Sequence, residues 1–327
     1  MSRATATGTT LEHRIGPRGH FSLRQASGDI SIRGVEGDVV RVHSADDRSL
    51  SDQFDIVLDD DRVALDQRGG LDIGMRLFSR GSSAELKVEV PHGATVSIAT
   101  GSADIRASDL SGGKSFQTAS GEVTLLRLAG GLDVETVSGE IEIDGAAPLD
   151  LALKSVSGDV SVRVPSIRRL DLGTTSGDIR LDAELAGGGP FAIRSISGDA
   201  TIVGRSGLRV EAETITGDLS SDQPSKRESH PGRKVLIVGR PGPTLTFRSV
   251  SGDLHVAEPR DAAPSVIEPR VEETVDETPV IRTDGPGEDE SREGEDERLA
   301  ILRALERGDI TVAEATDRLA QLDEVSR

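Results

Sequence analysis

The residues best suited to chemistry form a regularly spaced series of carboxylates in the middle of the chain. They recur at intervals of about nineteen residues, each after a Ser-Gly or similar pair. This series, called here the acidic ladder, consists of Asp104, Glu122, Glu140, Asp159, Asp178, Asp199, Asp218 and Asp253. Calcium takes about six to eight oxygen ligands, whereas one strand face offers only about two or three. The spacing therefore favours a solvated or turn-forming role, with divalent-cation binding as the alternative.

Two columns of hydroxyl residues accompany the acidic ladder. The first precedes each carboxylate by four residues and consists of Thr100, Thr118, Thr136, Ser155, Thr174, Ser195, Thr214 and Ser249. The second precedes it by two residues and consists of Ser102, Ser120, Ser138, Ser157, Ser176, Ser197, Thr216 and Ser251. A hydroxyl at a bend can donate to a backbone carbonyl that the bend leaves unpaired. We predict a structural role for the first column and a solvated, outward position for the second.

The other reactive side chains lack the spacing of a catalytic or metal site. The chain has no Cys, and its six His residues are scattered. The tripeptide Gly113-Lys114-Ser115 resembles the end of a phosphate-binding loop, but Ser108 stands where the first glycine is required. A strand, rather than the required helix, is predicted after it. We predict no catalytic residue, no cofactor and no enzyme activity.

The elements that position these columns are coils of a repeat. Each coil contains a six-residue motif. The motif appears as TGSADI, TASGEV, TVSGEI, SVSGDV, TTSGDI, SISGDA, TITGDL and SVSGDL, with an earlier copy, QASGDI, at Gly28. Seven of the eight regular copies carry Gly where the first carries Ala103. A fixed period of this length indicates a solenoid.

Within a coil, the apolar residues alternate as in β-strands and change parity at a bend. Leu132, Val134 and Thr136 share one parity, and Val137, Gly139 and the following isoleucines share the other. This places Val137 and the glycine on the inward side, where the glycine would relieve crowding. The pattern predicts an all-β fold, a right-handed parallel β-helix with one chain and about nineteen residues per coil.

The chain divides into four predicted regions. Residues 1–11 are expected to be disordered, and residues 12–257 to form the solenoid. Within it, residues 12–95 form irregular or capping coils, 96–257 form regular coils, and 220–234 form an insertion loop. Residues 258–296 are acidic, contain several Pro and have no aromatic residue, which indicates a disordered linker. Residues 297–327 have helical periodicity.

The last region is predicted to be a helical hairpin. Gly308 ends the first helix, and Thr311 with Glu314 forms a capping box for the second. A hairpin of this length cannot bury its apolar faces alone, so it must dock on a second copy, on the solenoid itself or on another protein. The predicted docking residues are Leu299, Leu302, Leu305, Ile310, Leu319 and Leu322.

Composition narrows the classes of partner and location. The formal net charge is -19 and only 2% of residues are aromatic, which argues against binding nucleic acid. No apolar run is long enough for a transmembrane segment, and no signal peptide is apparent. We therefore expect a cytoplasmic protein, with peripheral envelope association as a further option and the cell surface as the alternative location.

The SGD and SGE coils, with the lead-in VPHGATVSI, resemble the bacterial putative-adhesin family of β-strand-repeat proteins. The likeness covers about residues 12–256 and implies a β-helix of unknown function, often attached to envelope proteins, with no catalytic residues. The tail resembles short bihelical modules of membrane-stress and oligomerisation proteins. That second likeness rests on Gly308, Ile310, Thr311, Glu314 and Ala315.

Three functional hypotheses follow. The first is a non-enzymatic scaffold whose tail hairpin serves oligomerisation or partner docking, with a role in envelope-stress signalling. The second is a surface adhesin exported by an unrecognised route. The third is a solenoid that binds divalent cations through the acidic ladder.

Overall fold

The structure is a computed structural model that describes residues 5–46, 48–68, 83–230 and 233–259. The predicted hairpin at 297–327, and the predicted linker beyond its first two residues, lie outside the described residues. No helix in the described part of the chain is long and apolar enough to cross a bilayer.

The described chain is built almost entirely of β-strands. The first strands are β1 (Thr5–Thr7), β2 (Thr10–Arg14), β3 (His20–Ser27), β4 (Ile30–Val35), β5 (Val39–Ser44), β6 (Phe54–Asp59), β7 (Arg62–Gln67) and β8 (Leu86–Pro91). The central strands are β9 (Thr95–Ser102), β10 (Ile105–Ser108), β11 (Lys114–Ser120), β12 (Val123–Ser138), β13 (Ile141–Ser157), β14 (Val160–Ser176) and β15 (Ile179–Leu185). The last strands are β16 (Phe191–Arg194), β17 (Ala200–Val203), β18 (Leu208–Thr216), β19 (Leu219–Ser221), β20 (Ser225–His230), β21 (Arg233–Val238), β22 (Thr244–Ser251) and β23 (Leu254–Ala257). One short helix, α1, spans Leu50–Gln53.

The coils stack as parallel neighbours. Ile141 of β13 is in register with Val123 of β12 and with Val160 of β14, one coil away on either side. The two strand segments of a coil meet at a corner, which contains the repeated glycine, for example Gly139. We call the stacked segments before the corners, such as the part of β12 around Val134, the leading stack. We call the stacked segments after the corners, such as the part of β13 around Ile141, the trailing stack. The predicted all-β solenoid is confirmed; its handedness stays a prediction.

The core lies between the two stacks. On the leading side Val134 and Leu153 are fully buried, and on the trailing side Ile141 is fully buried as well. Alternate residues point outward, as the two-residue period of a strand requires. Inward residues of each coil therefore cover those of its neighbours.

At the amino end, antiparallel strands close the solenoid. The coil made of β7 and β8 stacks outside the one made of β3 and β4, β5 pairs antiparallel with β8, and β2 pairs with β5. The predicted disorder of residues 1–11 is wrong for Thr5–Leu11, since β1 and β2 form a hairpin there. Leu11 is fully buried, and its alternation with exposed Glu12 directs one side of β2 into the core.

At the carboxyl end, chain order differs from stacking order. The last coil, β22 and β23, lies between the coil of β16 and β17 and the coil of β18 and β19. The prediction of an insertion loop at 220–234 is wrong in part, because β20 and β21 form an antiparallel hairpin. In that hairpin β21 pairs with β18 and so covers the outer edge of the leading stack.

Candidate functional site

The corner glycines hold the coils at close approach. Gly139 has a φ of +125°, and a Cβ built on it would lie 2.1 Å from the carbonyl oxygen of Gly121 in the preceding coil. Gly158 stands in the same relation to Gly139, at 2.2 Å. The predicted steric role is confirmed. The crowding, however, comes from the backbone of the neighbouring coil, and the positive φ adds a second reason for glycine.

Six of the eight residues of the first hydroxyl column bond the backbone at their corners, as predicted. Each bond runs from the hydroxyl to the carbonyl oxygen two residues later, for example from Thr118 to Ser120 at 2.8 Å. The same bond is made by Thr136, Ser155, Thr174, Ser195 and Thr214. Thr100 and Ser249 are buried without a hydrogen-bond partner among the described residues.

The second hydroxyl column also contributes bonds between coils. Ser138 donates to the carbonyl oxygen of Ala119 at 3.4 Å, and Thr216 donates to that of Val250 at 3.2 Å. Ser176 and Ser197 make the equivalent bond. A purely solvated role, which the sequence predicts, therefore does not describe these four residues.

Hydrogen bonds at the glycine-containing corners fix the aspartate side chains of the acidic ladder. Asp178 accepts a hydrogen bond from the backbone N–H of Asp199 at 2.9 Å, and Asp199 accepts one from Asp253 at 2.8 Å. Asp104, Asp159 and Asp253 accept the same bond from the next carboxylate residue in the stack. The aspartates thus satisfy N–H groups that the corner leaves outside the strand ladder.

Two carboxylates that the sequence analysis left out extend the ladder toward the amino end. Asp29 follows the corner glycine of its coil, and Glu85 follows Ala84, against whose backbone a Cβ on Gly28 would collide. Within the described ranges, no group of three or more His, Asp or Glu side chains is placed to hold a metal ion. Cation binding by the acidic ladder stays a prediction.

An exposed apolar column, which we call the corner stripe, lies two residues before the corner glycines. Val137 and Val156, which the parity pattern places inward, are 53% and 48% exposed. The chain changes face across Ser138 and Gly139, one or two residues later than predicted. In stacking order the stripe consists of Ala119, Val137, Val156, Thr175, Ile196, Val250 and Ile215.

Beside the stripe, a cleft of about 860 Å³ opens on the outer surface of the leading stack. Arg24, Gln117, Glu135 and Lys154 line it, and the hairpin of β6 and β7 borders it through Arg68 and neighbouring residues. Lys154 Nζ donates to Glu135 Oε1 at 2.8 Å, and this bond raises the pKa of Lys154. Gln117 Nε2 donates to the other oxygen of Glu135 at 3.3 Å.

Smaller grooves continue along the same outer surface. Their volumes are about 520 Å³ and 440 Å³. Small side chains leave space for these grooves. They face outward six residues before the corner position of their coil, and Ser22, Ser97 and Ala152 are examples. Since all these grooves lie on the leading stack, this surface offers a ligand more contact than a flat one.

Lys114 is a buried cation in an otherwise apolar column. It is in register with Val96 and Leu132 and is only 4% exposed. Its Nζ donates to the carbonyl oxygens of Gly112 at 2.6 Å and Ala129 at 2.5 Å. Burial lowers its pKa from 10.5 to about 8. Because Lys114 begins a strand and its ammonium satisfies a turn, the likeness to a phosphate-binding loop is not functional.

Residues 19–257 match the family model described as Toastrack DUF4097, which spans this solenoid. The chain belongs to that family. The predicted adhesin-like recognition is confirmed for the solenoid at this level. The likeness of the Toastrack chain's tail to bihelical modules concerns residues outside the described part and stays a prediction.

Solved structures similar to the Toastrack chain are named as adhesins and as a lipid-binding protein. A putative adhesin from Bacteroides fragilis is 13% identical, with 77% of this chain and 98% of that chain covered and a TM-score of 0.44. A putative adhesin from Parabacteroides distasonis is 14% identical, covering 77% and 97%, with a TM-score of 0.40. A putative lipid binding protein from the same species is 12% identical, covering 79% and 98%, with a TM-score of 0.38. No curated protein matches the chain.

Proposed function

We propose that this Toastrack protein is a non-enzymatic scaffold that binds other proteins along the outer surface of the leading stack. The observation that carries the proposal is the position of the 860 Å³ cleft. It lies beside the exposed apolar side chains of Val137 and Val156 and between the corner column and the hairpin of β6 and β7. An extended polypeptide could meet amide and charged groups there at once.

The groups that line the cleft favour binding over catalysis. Glu135 is paired with Lys154, and Asp55 is paired with Arg68 at 2.8 Å. A hydrolase would need two acids whose environments drive their protonation states apart. Two of the three carboxylates that line the cleft, Asp55 and Glu135, are thus neutralised by neighbouring cations.

The tail supplies the second part of the proposal. Leu299, Leu302, Leu305, Ile310, Leu319 and Leu322 would dock the predicted hairpin on a partner or on a second copy. A hairpin docked in this way would join the solenoid to a larger protein assembly. A role in envelope-stress signalling belongs to this proposal and rests on the likeness of the tail to bihelical modules.

Reversing one charge in the cleft tests the proposal. Partners are joined to the full chain by formaldehyde in its own cells and quantified after denaturing purification. We expect Lys154→Glu to reduce the cross-linked partner by about tenfold or more, because it leaves two carboxylates facing each other at the centre of the cleft. The cell fraction that contains the cross-linked protein also separates the cytoplasmic expectation from the adhesin alternative.

Arg180→Glu is the matched control, because Arg180 is exposed on the trailing stack, away from the cleft. It makes the same change of charge and should leave recovery unchanged. Equal recovery with both variants, or equal loss with both, would contradict binding at this face. Melting temperatures of both variants show whether a loss reflects unfolding.

A further inference from the structure

Exposed large aliphatic side chains are concentrated in the corner stripe. In the described part of the chain six such side chains are exposed, and five of them are Val137, Val156, Ile196, Ile215 and Val250. Ile215 is 80% exposed. Scattered apolar residues on a surface need no explanation, but a row of them along one face, interrupted here only by Thr175, is typical of an interaction site.

The arrangement of the stripe restricts what can cover it. Neighbouring members are separated by the interstrand spacing of about 4.8 Å, so the stripe from Val137 to Ile215 is about 24 Å long. Alternate side chains of an extended strand are about 6.6 Å apart, so a single strand cannot match this repeat. A second stack of the same coils has the same spacing.

The area of the stripe fits a weak contact between two copies. Its five large side chains expose roughly 300 to 400 Å² of apolar surface per copy. With the flanking columns, two copies would bury roughly 1,000 Å², near the lower limit for a specific interface. We infer that the corner stripe is a self-association face, on which a second copy of this chain packs along the solenoid.

The charges beside the stripe determine how the copies are oriented. The acidic ladder borders one side. On the other side, two residues before the stripe, lie the exposed Lys154, Arg194 and Arg248, each in an ion pair with a carboxylate of its own copy. Antiparallel copies would place acidic ladder against acidic ladder. Parallel copies, related by a two-fold axis along the stripe, place each acidic ladder beside these ion pairs of the other copy and so avoid that repulsion.

Sedimentation velocity of the full chain over a range of concentrations tests the association. We expect a monomer–dimer equilibrium with a micromolar dissociation constant. The triple variant Val156→Thr, Ile196→Thr and Val250→Thr keeps β-branched side chains in the strands and should raise that constant about tenfold or more. Val57→Thr is the control, because Val57 is 53% exposed on β6, outside the stripe.

A hairpin variant separates this inference from the proposed docking role of the tail. Leu302→Asp with Leu319→Asp should leave the contact made by the stripe intact. A monomeric wild-type chain would overturn the inference. So would a triple variant that associates like the wild type, or a hairpin variant that loses all association.

Single-cysteine variants test the orientation, since the natural chain has no Cys. In parallel copies Val156 of one copy lies opposite Val156 of the other, so Val156→Cys should oxidise to a disulfide-linked dimer. Val250→Cys should do the same, and Val57→Cys should stay monomeric. Disulfides from Thr175→Cys without those from Val156→Cys and Val250→Cys would instead indicate antiparallel copies and overturn the parallel arrangement.

Discussion

Gly158→Ala is expected to prevent stable folding of the solenoid. The added Cβ would lie 2.2 Å from the carbonyl oxygen of Gly139, and residue 158 would have to keep a φ of +120°. Neither coil can yield, because each is bonded to neighbours on both sides. We expect a loss of at least about 4 kcal/mol from the free energy of unfolding, a large part of the total for most domains.

Urea unfolding followed by circular dichroism measures this loss, and Gly173→Ala is the control. Gly173 lies in the same leading stack, and an added Cβ would meet no atom within 4 Å. That variant should change the free energy of unfolding by no more than about 1 kcal/mol. If Gly158→Ala unfolds at the same urea concentration as the wild type, close packing of the coils is not the reason why glycine occupies the corners.

Lys114→Met is expected to change how stability depends on pH. The folded-state pKa of about 8 lies below the 10.5 of an ordinary lysine, so the unfolded state binds more protons between those values. Wild-type stability therefore rises with pH across that window, by up to about 3 kcal/mol from this group. The methionine variant lacks this contribution, so its stability relative to wild type should fall steadily from pH 8 to pH 10.

Comparing the two proteins at each pH cancels the other titrating groups. Lys154→Met is the control, because Lys154 is exposed and its pKa is raised by Glu135. That variant should keep a constant difference from wild type between pH 8 and pH 10. A constant difference for Lys114→Met as well would mean that the carbonyl oxygens of Gly112 and Ala129 replace water fully around the ammonium.

The coil and its corner could be predicted from the sequence because each makes a local demand. A buried residue at every second position, a hydroxyl such as Thr136 at the bend and a glycine such as Gly139 after it are requirements of a single coil. Because the same three features recur in coil after coil, a chance match to the pattern is excluded. The roles of these glycines and of the first hydroxyl column therefore follow from the sequence.

The order of the coils could not be predicted in the same way. The coil at Gly252 carries the same motif as the coil at Gly217, so nothing local shows that it inserts between Gly198 and Gly217. Only the pairing of distant strands decides this. The same holds for β8, whose partner β5 is antiparallel although the solenoid around it is parallel.

The corner stripe was missed because the position of the bend decides its side. A change of parity at Val137 places this residue inside, and a change one or two residues later places it outside. The buried hydroxyl of Thr136 is the signal that could have settled this, since the residue after a buried strand position points outward. The cleft depends on the hairpin of β6 and β7, for which the repeat offers no signal.

Photo-cross-linking from defined positions tests most directly whether the leading stack is the binding face. A benzophenone side chain is placed at Gln117 in the cleft, at Val156 in the stripe and at Glu142 on the opposite outer surface, all exposed positions. Irradiation in the organism's own cells should join partner proteins to Gln117 and a second copy of the chain to Val156, and it should leave Glu142 unreactive. Cross-links from Glu142 equal to those from Gln117, or no cross-links from Gln117, would contradict binding at the leading stack.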